Sequence, residues 1–322
     1  MYYAIRHFTR YRYSQFVWQS MMEVRMHPRS EGNQRCFIFQ LSVNPRARIF
    51  SHTDSRGNLV HHFDLPSRHR QLTIISDTLV NIDPPPLAPE TMEFRAWDEL
   101  EQIIEQRDYW DSLMPSHFAH PSPKLEELAN ELGVAQRNGR SPLAFLQDVA
   151  GGIYRSFTYV KKSTAVNSPI DHALRSRQGV CQDFAHIMIA LVRKAHIPCR
   201  YVSGYLYHSG EHSDSAADGA THAWVEAFLP GLGWVGFDPT INLLAGGQHI
   251  RTAVGRDYAD VAPTMGTMKG KANTELQVRV RVTPSQAVLP PDEEFAADEE
   301  WSQFLEEDQQ SQLTHAQQQQ QQ

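Results

Sequence analysis

Cysteine is scarce in this sequence: Cys36, Cys181 and Cys199 are the only three among 322 residues. Their number is odd and their spacing matches no disulfide framework, so we expect all three thiols to be reduced. Cys36 and Cys199 lie in apolar, strand-like segments, where a free cysteine commonly packs as a small apolar side chain. Cys181 alone follows a glycine turn.

Long hydrophobic runs are also missing. No stretch approaches the ~20 consecutive apolar residues that a membrane helix needs. Residues 1–7 alternate aromatic and charged side chains and lack the apolar core of a secretory signal. Together with the reduced cysteines, these absences predict a soluble, cytoplasmic protein.

A basic stripe with interleaved aromatic residues is absent as well, which argues against nucleic acid as a partner. The net charge is −7, but residues 285–322 hold nine acidic and no basic side chains, so the acidity belongs to this tail. The tail ends in six glutamines and cannot bury enough apolar surface to fold. We therefore predict that residues 284–322 are disordered.

The remaining chain predicts an α+β protein of two domains. Residues 1–82 contain successive segments rich in β-branched and aromatic residues, which favours an all-β, sandwich-like N-terminal domain. The predicted strands are 2–13, 17–27, 35–43, 46–53, 59–65 and 72–82. The Pro-rich segment 83–97 predicts a stiff linker, and residues 98–283 then form the second domain.

In this second domain the apolar period changes to that of helices. Ser122 and Ser141 are each followed by proline, which is typical of an N-cap residue followed by proline in the first helical position. Helices are therefore expected to begin at these two serines. Residues 274–282 alternate polar and apolar side chains and predict a closing strand with one solvated face.

Cys181 lies between Gly179 and the apolar run 187–192, which predicts a helix that begins at Cys181 and is buried on all sides. Unpaired backbone N–H groups and the helix dipole at such a position favour a thiolate over a thiol. Asp183 in the first turn should stabilise the helix, and His186 is expected to be a hydrogen-bonded core histidine.

Two further polar residues mark the ends of predicted strands. His222 begins the alternating segment 222–228, and Asp238 ends the short strand 233–238. The four residues between the strands predict a hairpin, which can bring His222 and Asp238 together across the ladder. A cysteine with a separate histidine and acid is the arrangement of a thiol hydrolase or acyltransferase.

These motifs resemble the bacterial transglutaminase-like superfamily, which has a papain-related core. The resemblance rests on Gly-Val-Cys181-Gln-Asp-Phe-Ala, Tyr201-Val-Ser-Gly-Tyr, His222-Ala-Trp-Val-Glu and Asp238-Pro-Thr, in that order. It extends over residues 1 to about 283 and implies the two-domain type, in which an N-terminal β domain precedes the transglutaminase core. It also implies that Cys181, His222 and Asp238 form a catalytic triad.

The expected reaction passes through a thioester on Cys181. His222 takes the thiol proton while Asp238 orients the imidazole, and the thiolate attacks an amide carbonyl. The backbone N–H of Cys181 is the natural first donor to the oxyanion. Tyr159 and Gln182 are two open choices for a second donor.

Other residues are candidates for the walls of the cleft. Trp224 is a core or cleft-wall aromatic, and Glu226 shares the strand face of His222. The family resemblance places Arg256 and Asp257 near the cleft. The loop 208–219 contains two histidines and several acids, but the spacing matches no established metal motif and favours a flap over the cleft. We predict no cofactor and no metal.

The sequence leaves the acceptor open. Water gives a cysteine peptidase or amidase, which we favour because many family members are thought to be such enzymes. An amine gives a protein-glutamine transamidase, and a non-catalytic scaffold of the same fold is a third possibility. The expected substrate is a peptide or protein amide, and the resemblance also suggests a peptide-bond-forming ATP-grasp ligase as a partner.

Overall fold

The structure is a computed structural model that describes residues 1–84, 92–106, 109–137, 139–207 and 221–290. The predicted flap lies entirely outside the described residues, as do most of the acidic tail and part of the predicted linker. Within the described ranges, no helix is long and apolar enough to cross a membrane. The mixed α+β class is confirmed, with a strand-rich N-terminal region followed by helices packed on a second antiparallel sheet.

The N-terminal region is one curled antiparallel sheet in the order β2-β5-β1-β4-β3. Its strands are β1 (Tyr2–Val24), β2 (Gln34–Asn44), β3 (Phe50–Thr53), β4 (Leu59–Leu65) and β5 (His69–Ile82). The two segments predicted between residues 2 and 27 form the single strand β1, whose register shifts between Arg12 and Val17. The two halves of the curled sheet share an apolar core, so the sandwich-like prediction is confirmed in this form.

The C-terminal part of the described chain returns to this sheet. Strand β14 (Thr274–Ser285) pairs with the first half of β1, and β13 (Thr264–Lys269) pairs with its second half. Residues 274–282 are thus a strand, as predicted, but the partner is β1. The sequence-based boundary at residue 283 assigns these strands to the catalytic core and does not anticipate this pairing.

Helices dominate the segment before Cys181. They are α1 (Ala96–Gln106), α2 (Trp110–Leu113), α3 (Pro123–Glu131), α4 (Pro142–Ser156) and α5 (Ile170–Ser176). Both predicted starts are confirmed, because Ser122 Oγ accepts from the Leu125 N–H at 3.2 Å and Ser141 Oγ from the Ala144 N–H at 3.3 Å. The short strands β6 (Thr158–Tyr159) and β7 (Gln178–Gly179) pair in parallel and lead into the cysteine helix.

The second sheet has the order β11-β10-β9-β8-β12. Its strands are β8 (Cys199–Leu206), β9 (His222–Leu229), β10 (Gly233–Asp238), β11 (Leu243–Leu244) and β12 (His249–Gly255). Helix α6 (Cys181–Lys194) packs against β8 and β9 through a shared apolar core and is buried along most of its length, as predicted. A last short helix, α7 (Tyr258–Val261), follows β12.

Candidate active site

Cys181 is the first residue of helix α6, where the sequence predicted it. Gly179 permits the tight entry into the helix, because a Cβ there would lie 3.0 Å from side-chain atoms of both Asp183 and Phe184. Asp183 then caps the helix: its Oδ2 accepts from the Val180 N–H at 2.8 Å and from the Thr164 hydroxyl at 2.6 Å. The half-buried thiol therefore lies at a fixed helix N-terminus.

His222 is the first residue of β9 and is buried. Its imidazole is hydrogen-bonded to the Cys181 thiol, and its Nε2 lies 2.6 Å from Asp238 Oδ2. Because Nε2 is engaged by the carboxylate, Nδ1 is the ring nitrogen left for the thiol. One ring nitrogen thus faces an acid and the other faces a thiol, as in a catalytic triad.

The hairpin that the sequence predicted brings Asp238 to this histidine. Strands β9 and β10 pair antiparallel with Phe237 opposite Val225, so Asp238 lies level with Trp224 and one diagonal step from His222. The Asp238 side chain is fully buried. Its Oδ1 accepts from the Thr240 N–H at 2.9 Å, which leaves Oδ2 for the imidazole.

The electrostatics of this pair favour a charged imidazole. Burial lowers the pKa of His222, but the Asp238 carboxylate and the hydrogen-bonded Cys181 raise it more, to about 10. Burial likewise raises the pKa of Asp238, but His222 and a second histidine, His249, hold it well below its ordinary value. At neutral pH the site therefore holds an ionised Asp238 beside a protonated His222.

Cys181 and His222 open onto a cleft of about 310 Å³. The other lining residues are Tyr159, Lys161, Lys162, Val180, Gln182, Tyr201, Ser203, Thr221, Ala223 and Tyr258. Thr221 lies two residues after the predicted flap (208–219), which is outside the described residues. The space is large enough for a peptide side chain together with the amide that it carries.

All three predicted oxyanion donors lie at this cleft. The Cys181 N–H occupies the first position of α6, where no intrahelical acceptor exists. The Gln182 side-chain amide donates to the Val166 carbonyl at 2.9 Å, so one of its hydrogens is engaged away from the thiol. Burial, with added effects of Cys181 and Asp183, raises the pKa of Tyr159, which keeps its hydroxyl neutral and able to donate.

The predicted cleft-wall residues on β9 lie elsewhere. Trp224 is buried behind the triad, with its ring stacked 6.1 Å from that of His222. Glu226 is buried in an ion pair with Arg200 at 2.7 Å and a second with Arg251 at 3.3 Å. Neither residue lines the cleft at Cys181.

The other two predicted cleft residues have structural partners. Arg256 forms an ion pair with Asp260 at 2.9 Å and lines a separate pocket. Asp257 caps α7 through the Ala259 N–H at 2.9 Å and also accepts from the Phe118 N–H at 2.8 Å. Neither is among the residues that line the cleft.

His186 has the core role that the sequence predicted. Its Nε2 accepts from the Tyr258 N–H at 3.2 Å, and its ring stacks on Phe118 at 5.2 Å. Burial lowers the pKa of His186 to about 3, so it is neutral at physiological pH. It is therefore a packed histidine of α6 that joins this helix to the start of α7.

His249 is the residue that sequence reasoning missed. It begins β12, and its Nε2 lies 3.0 Å from Asp238 Oδ2. The strands that we predicted in this part of the chain end at Asp238 and resume only at residue 274. The β-branched residues Ile250, Thr252 and Val254, which alternate shortly after Gly246 and Gly247, were the signal, since they mark a strand that begins near His249.

Among the described residues, one group has ligand atoms that could hold a metal ion. It consists of His222, Asp238 and His249, whose ligand atoms lie within 4.8 Å of one another. The hydrogen bonds argue for a proton network instead. His249 Nδ1 accepts from the Gly246 N–H at 3.2 Å, which places the ring proton on Nε2. A metal at Nε2 would displace that proton and require the other tautomer, which clashes with the Gly246 N–H.

Comparison with known proteins identifies the family of this chain. The model of the transglutaminase-like superfamily matches residues 128–239, and that of the bacterial transglutaminase-like N-terminal region matches residues 3–81. An uncharacterized protein of Mycobacterium tuberculosis is 32% identical over 297 residues, which cover 88% of this chain and 92% of the relative. The chain therefore belongs to the transglutaminase-like superfamily.

Two other similarities differ in extent. A protein-glutamine gamma-glutamyltransferase of Pseudomonas aeruginosa is 30% identical over 149 residues, which cover 44% of this chain and 22% of that enzyme. The crystal structure of a Cytophaga hutchinsonii protein, provisionally assigned as a cysteine protease, superposes with a TM-score of 0.66 at 20% identity. That match covers 90% of this chain and 93% of the other and shows a shared fold.

Proposed function

We propose that the protein is a cysteine-dependent enzyme that cleaves peptide or other amide bonds. One observation carries the proposal: a cysteine at a helix N-terminus is hydrogen-bonded to a buried histidine, which is in turn held by a buried, ionised aspartate. The three groups meet at a cleft that can admit an amide. This arrangement supports nucleophilic catalysis by Cys181.

The residues suggest each step of acylation. With the thiol proton on His222, the Cys181 thiolate attacks the amide carbonyl carbon and the carbonyl π electrons move to oxygen. The Cys181 N–H stabilises that oxyanion, with Tyr159 or Gln182 as the second donor. When the tetrahedral intermediate collapses, the C–N bond breaks, His222 protonates the leaving amine, and a thioester remains on Cys181.

Deacylation reverses these roles. His222 accepts a proton from water, which attacks the thioester carbonyl. The C–S bond breaks and releases a carboxylic acid and the Cys181 thiolate, so no external oxidant or reductant is consumed. Asp238 stays ionised throughout and stabilises the imidazolium each time it forms.

A transamidase is the second candidate function. It is favoured by the similarity over 149 residues to a protein-glutamine gamma-glutamyltransferase. In that case a primary amine replaces water in deacylation. A non-catalytic scaffold would have no need of the complete, mutually hydrogen-bonded triad, so we do not favour it.

Two further expectations stay predictions. The reduced state of Cys36, Cys181 and Cys199 supports a cytoplasmic location. A partnership with an ATP-grasp ligase rests on the family resemblance alone.

Incubation with casein tests the proposal, since casein offers many different amides. We expect new α-amino groups to appear with the wild-type protein and to be reduced at least 100-fold with Cys181→Ala or His222→Ala. Cys36→Ala should retain activity, because that thiol lies in the N-terminal sheet. Incorporation of a fluorescent primary amine without new α-amino groups would support the transamidase, and activity that survives Cys181→Ala would refute both.

A further inference from the structure

A second histidine binds the acid of the triad. Asp238 Oδ2 accepts from His222 Nε2 at 2.6 Å and lies 3.0 Å from His249 Nε2. With the Thr240 N–H on Oδ1, the buried carboxylate has three hydrogen-bond partners, one from each of three chain segments. A buried carboxylate needs such donors to stay ionised.

The tautomer of His249 is fixed by the backbone. Because the Gly246 N–H donates to Nδ1 at 3.2 Å, Nδ1 must be unprotonated. A neutral ring then carries its proton on Nε2, facing Asp238. His249 therefore donates to the carboxylate and does not compete with it for a proton.

Packing holds the ring in this orientation. His249 is buried, and its ring meets Trp224 edge to face at 5.1 Å. Gly204 allows strand β12 and Trp224 to approach this closely, since a Cβ there would lie 2.0 Å from the Ile250 carbonyl oxygen and 2.7 Å from Trp224. Trp224 thus touches both histidines that bind Asp238.

We propose that His249 is a positioning residue of the reaction, which donates its Nε2 hydrogen to Asp238 and so keeps this carboxylate ionised and aimed at His222. This inference deepens the proposed function and rests on it. His249 itself does not line the cleft at Cys181, so its effect passes through Asp238 and His222.

The proposal predicts how the site responds when the donor is removed. Without His249, Asp238 keeps only the Thr240 and His222 hydrogen bonds and its pKa rises, because His249 contributes to holding it low. The titratable groups that act on Asp238 and His222 are His249, Cys181 and these two residues themselves. As the pH is lowered, the thiolate–imidazolium pair should therefore be lost at a higher pH than in the wild-type protein.

The first test follows the rate of Cys181 alkylation by iodoacetamide against pH. We expect the acid-side midpoint to rise by about one pH unit in His249→Leu, since Asp238 then loses one of the two histidine N–H donors that stabilise its ionised form. His249→Gln keeps an N–H donor at the position of Nε2 and should restore the wild-type midpoint. A wild-type profile in His249→Leu, or no rescue by Gln, would overturn the proposal.

A second measurement does not depend on any variant. In wild-type protein labelled with [¹⁵N]histidine, the NMR spectrum should show His249 as the neutral Nε2–H tautomer at pH 7, and the Nδ1–H tautomer would contradict the inference. A profile that EDTA shifts to that of His249→Leu would make His249 a metal ligand instead. If His222→Ala leaves the alkylation profile of Cys181 unchanged, the triad itself is refuted. That result differs from one in which only the role of His249 is refuted.

Discussion

At the scale of single residues, the chemistry of the site depends on one buried ion pair. The pKa of His222 is raised to about 10, above its ordinary 6.5, so the charged pair stabilises the folded state fully below pH 6.5. That contribution is lost as the pH rises through about 10. Asp238 has a lowered pKa, so its contribution is present above about 3.8 and is lost as the pH falls further.

These directions predict the pH dependence of Asp238→Asn. The variant removes the charge that raises the pKa of His222, so it should lower the free energy of unfolding by about 3 kcal/mol between pH 4 and 6.5. The difference from wild type should shrink as the pH approaches 10. Urea unfolding at pH 5, 7.5 and 10 measures it, with Asp64→Asn, an exposed acid on β4, as the control. An equal difference at all three pH values would contradict this account.

Whether a site residue could be predicted depends on the pattern that it leaves in the amino-acid sequence. Cys181 and Asp238 lie at the ends of regular elements that periodicity reveals, and their spacing matches a family pattern. His249 leaves no such signal, because its role depends on β12 reaching Asp238 across the sheet. Conversely, Glu226 shares a strand face with His222, yet Arg200 and Arg251 engage it, and local spacing does not show such partners.

At the scale of elements, helix α6 positions Cys181, the proposed nucleophile. Asp183, the third residue of α6, accepts hydrogen bonds from the N–H of the N-cap Val180 and from the hydroxyl of Thr164. Thr164 follows the two lysines of the cleft closely in sequence, so the second bond ties that segment to the helix. Its side chain is buried. The acid that the sequence assigned to dipole stabilisation therefore also fixes the loop beside Cys181.

Asp183→Ala should consequently lower both stability and thiol reactivity. Loss of the cap and of the Thr164 hydrogen bond should cost about 1–3 kcal/mol in the free energy of unfolding. Alkylation of Cys181 should also slow, because its N–H and thiol lose their fixed direction. The matched control is Asp98→Ala, an exposed acid in the first turn of α1, which should change neither quantity. Equal effects of the two variants would show that Asp183 acts only through the helix dipole.

The element predictions succeeded where the period was clear and failed where a partner was distant. The proline-marked starts of α3 and α4 depend on local capping and were confirmed. The continuity of β1 depends on β5, β13 and β14, which lie up to about 280 residues away along the chain. No local pattern identifies these partners, so the sequence predicts strands better than it predicts their pairing.

At the scale of the whole molecule, the N-terminal region covers the free edge of β12, the strand that begins with His249. Gln34 pairs with Arg251: its Oε1 accepts from the Arg251 N–H at 2.9 Å, and its Nε2 donates to the Arg251 carbonyl at 2.8 Å. Asn58 does the same for Val254, at 2.8 and 2.9 Å. Two side-chain amides thus take the place of a neighbouring strand.

This arrangement gives the N-terminal region a role in the site. The edge of β12 would otherwise present unpaired backbone groups, and its position determines whether His249 reaches Asp238. Gln34 and Asn58 are both buried and come from segments next to turns of the curled sheet. We therefore expect the β-rich region to support the triad through β12 and not through contact with the substrate.

Gln34→Leu tests this connection. The substitution leaves the N–H of Arg251 without its partner, whereas the Arg251 carbonyl still accepts from the Arg29 N–H at 3.0 Å, so the free energy of unfolding should fall by about 1–3 kcal/mol. Hydrogen exchange in peptides from β12 should accelerate, and Cys181 alkylation should shift in the same direction as in His249→Leu. Gln40→Leu lies on the same strand β2 with an exposed side chain and should leave all three measurements unchanged. If Gln34→Leu destabilises the protein while exchange in β12 stays at the wild-type rate, the N-terminal region contributes stability alone and the proposed route to His249 is wrong.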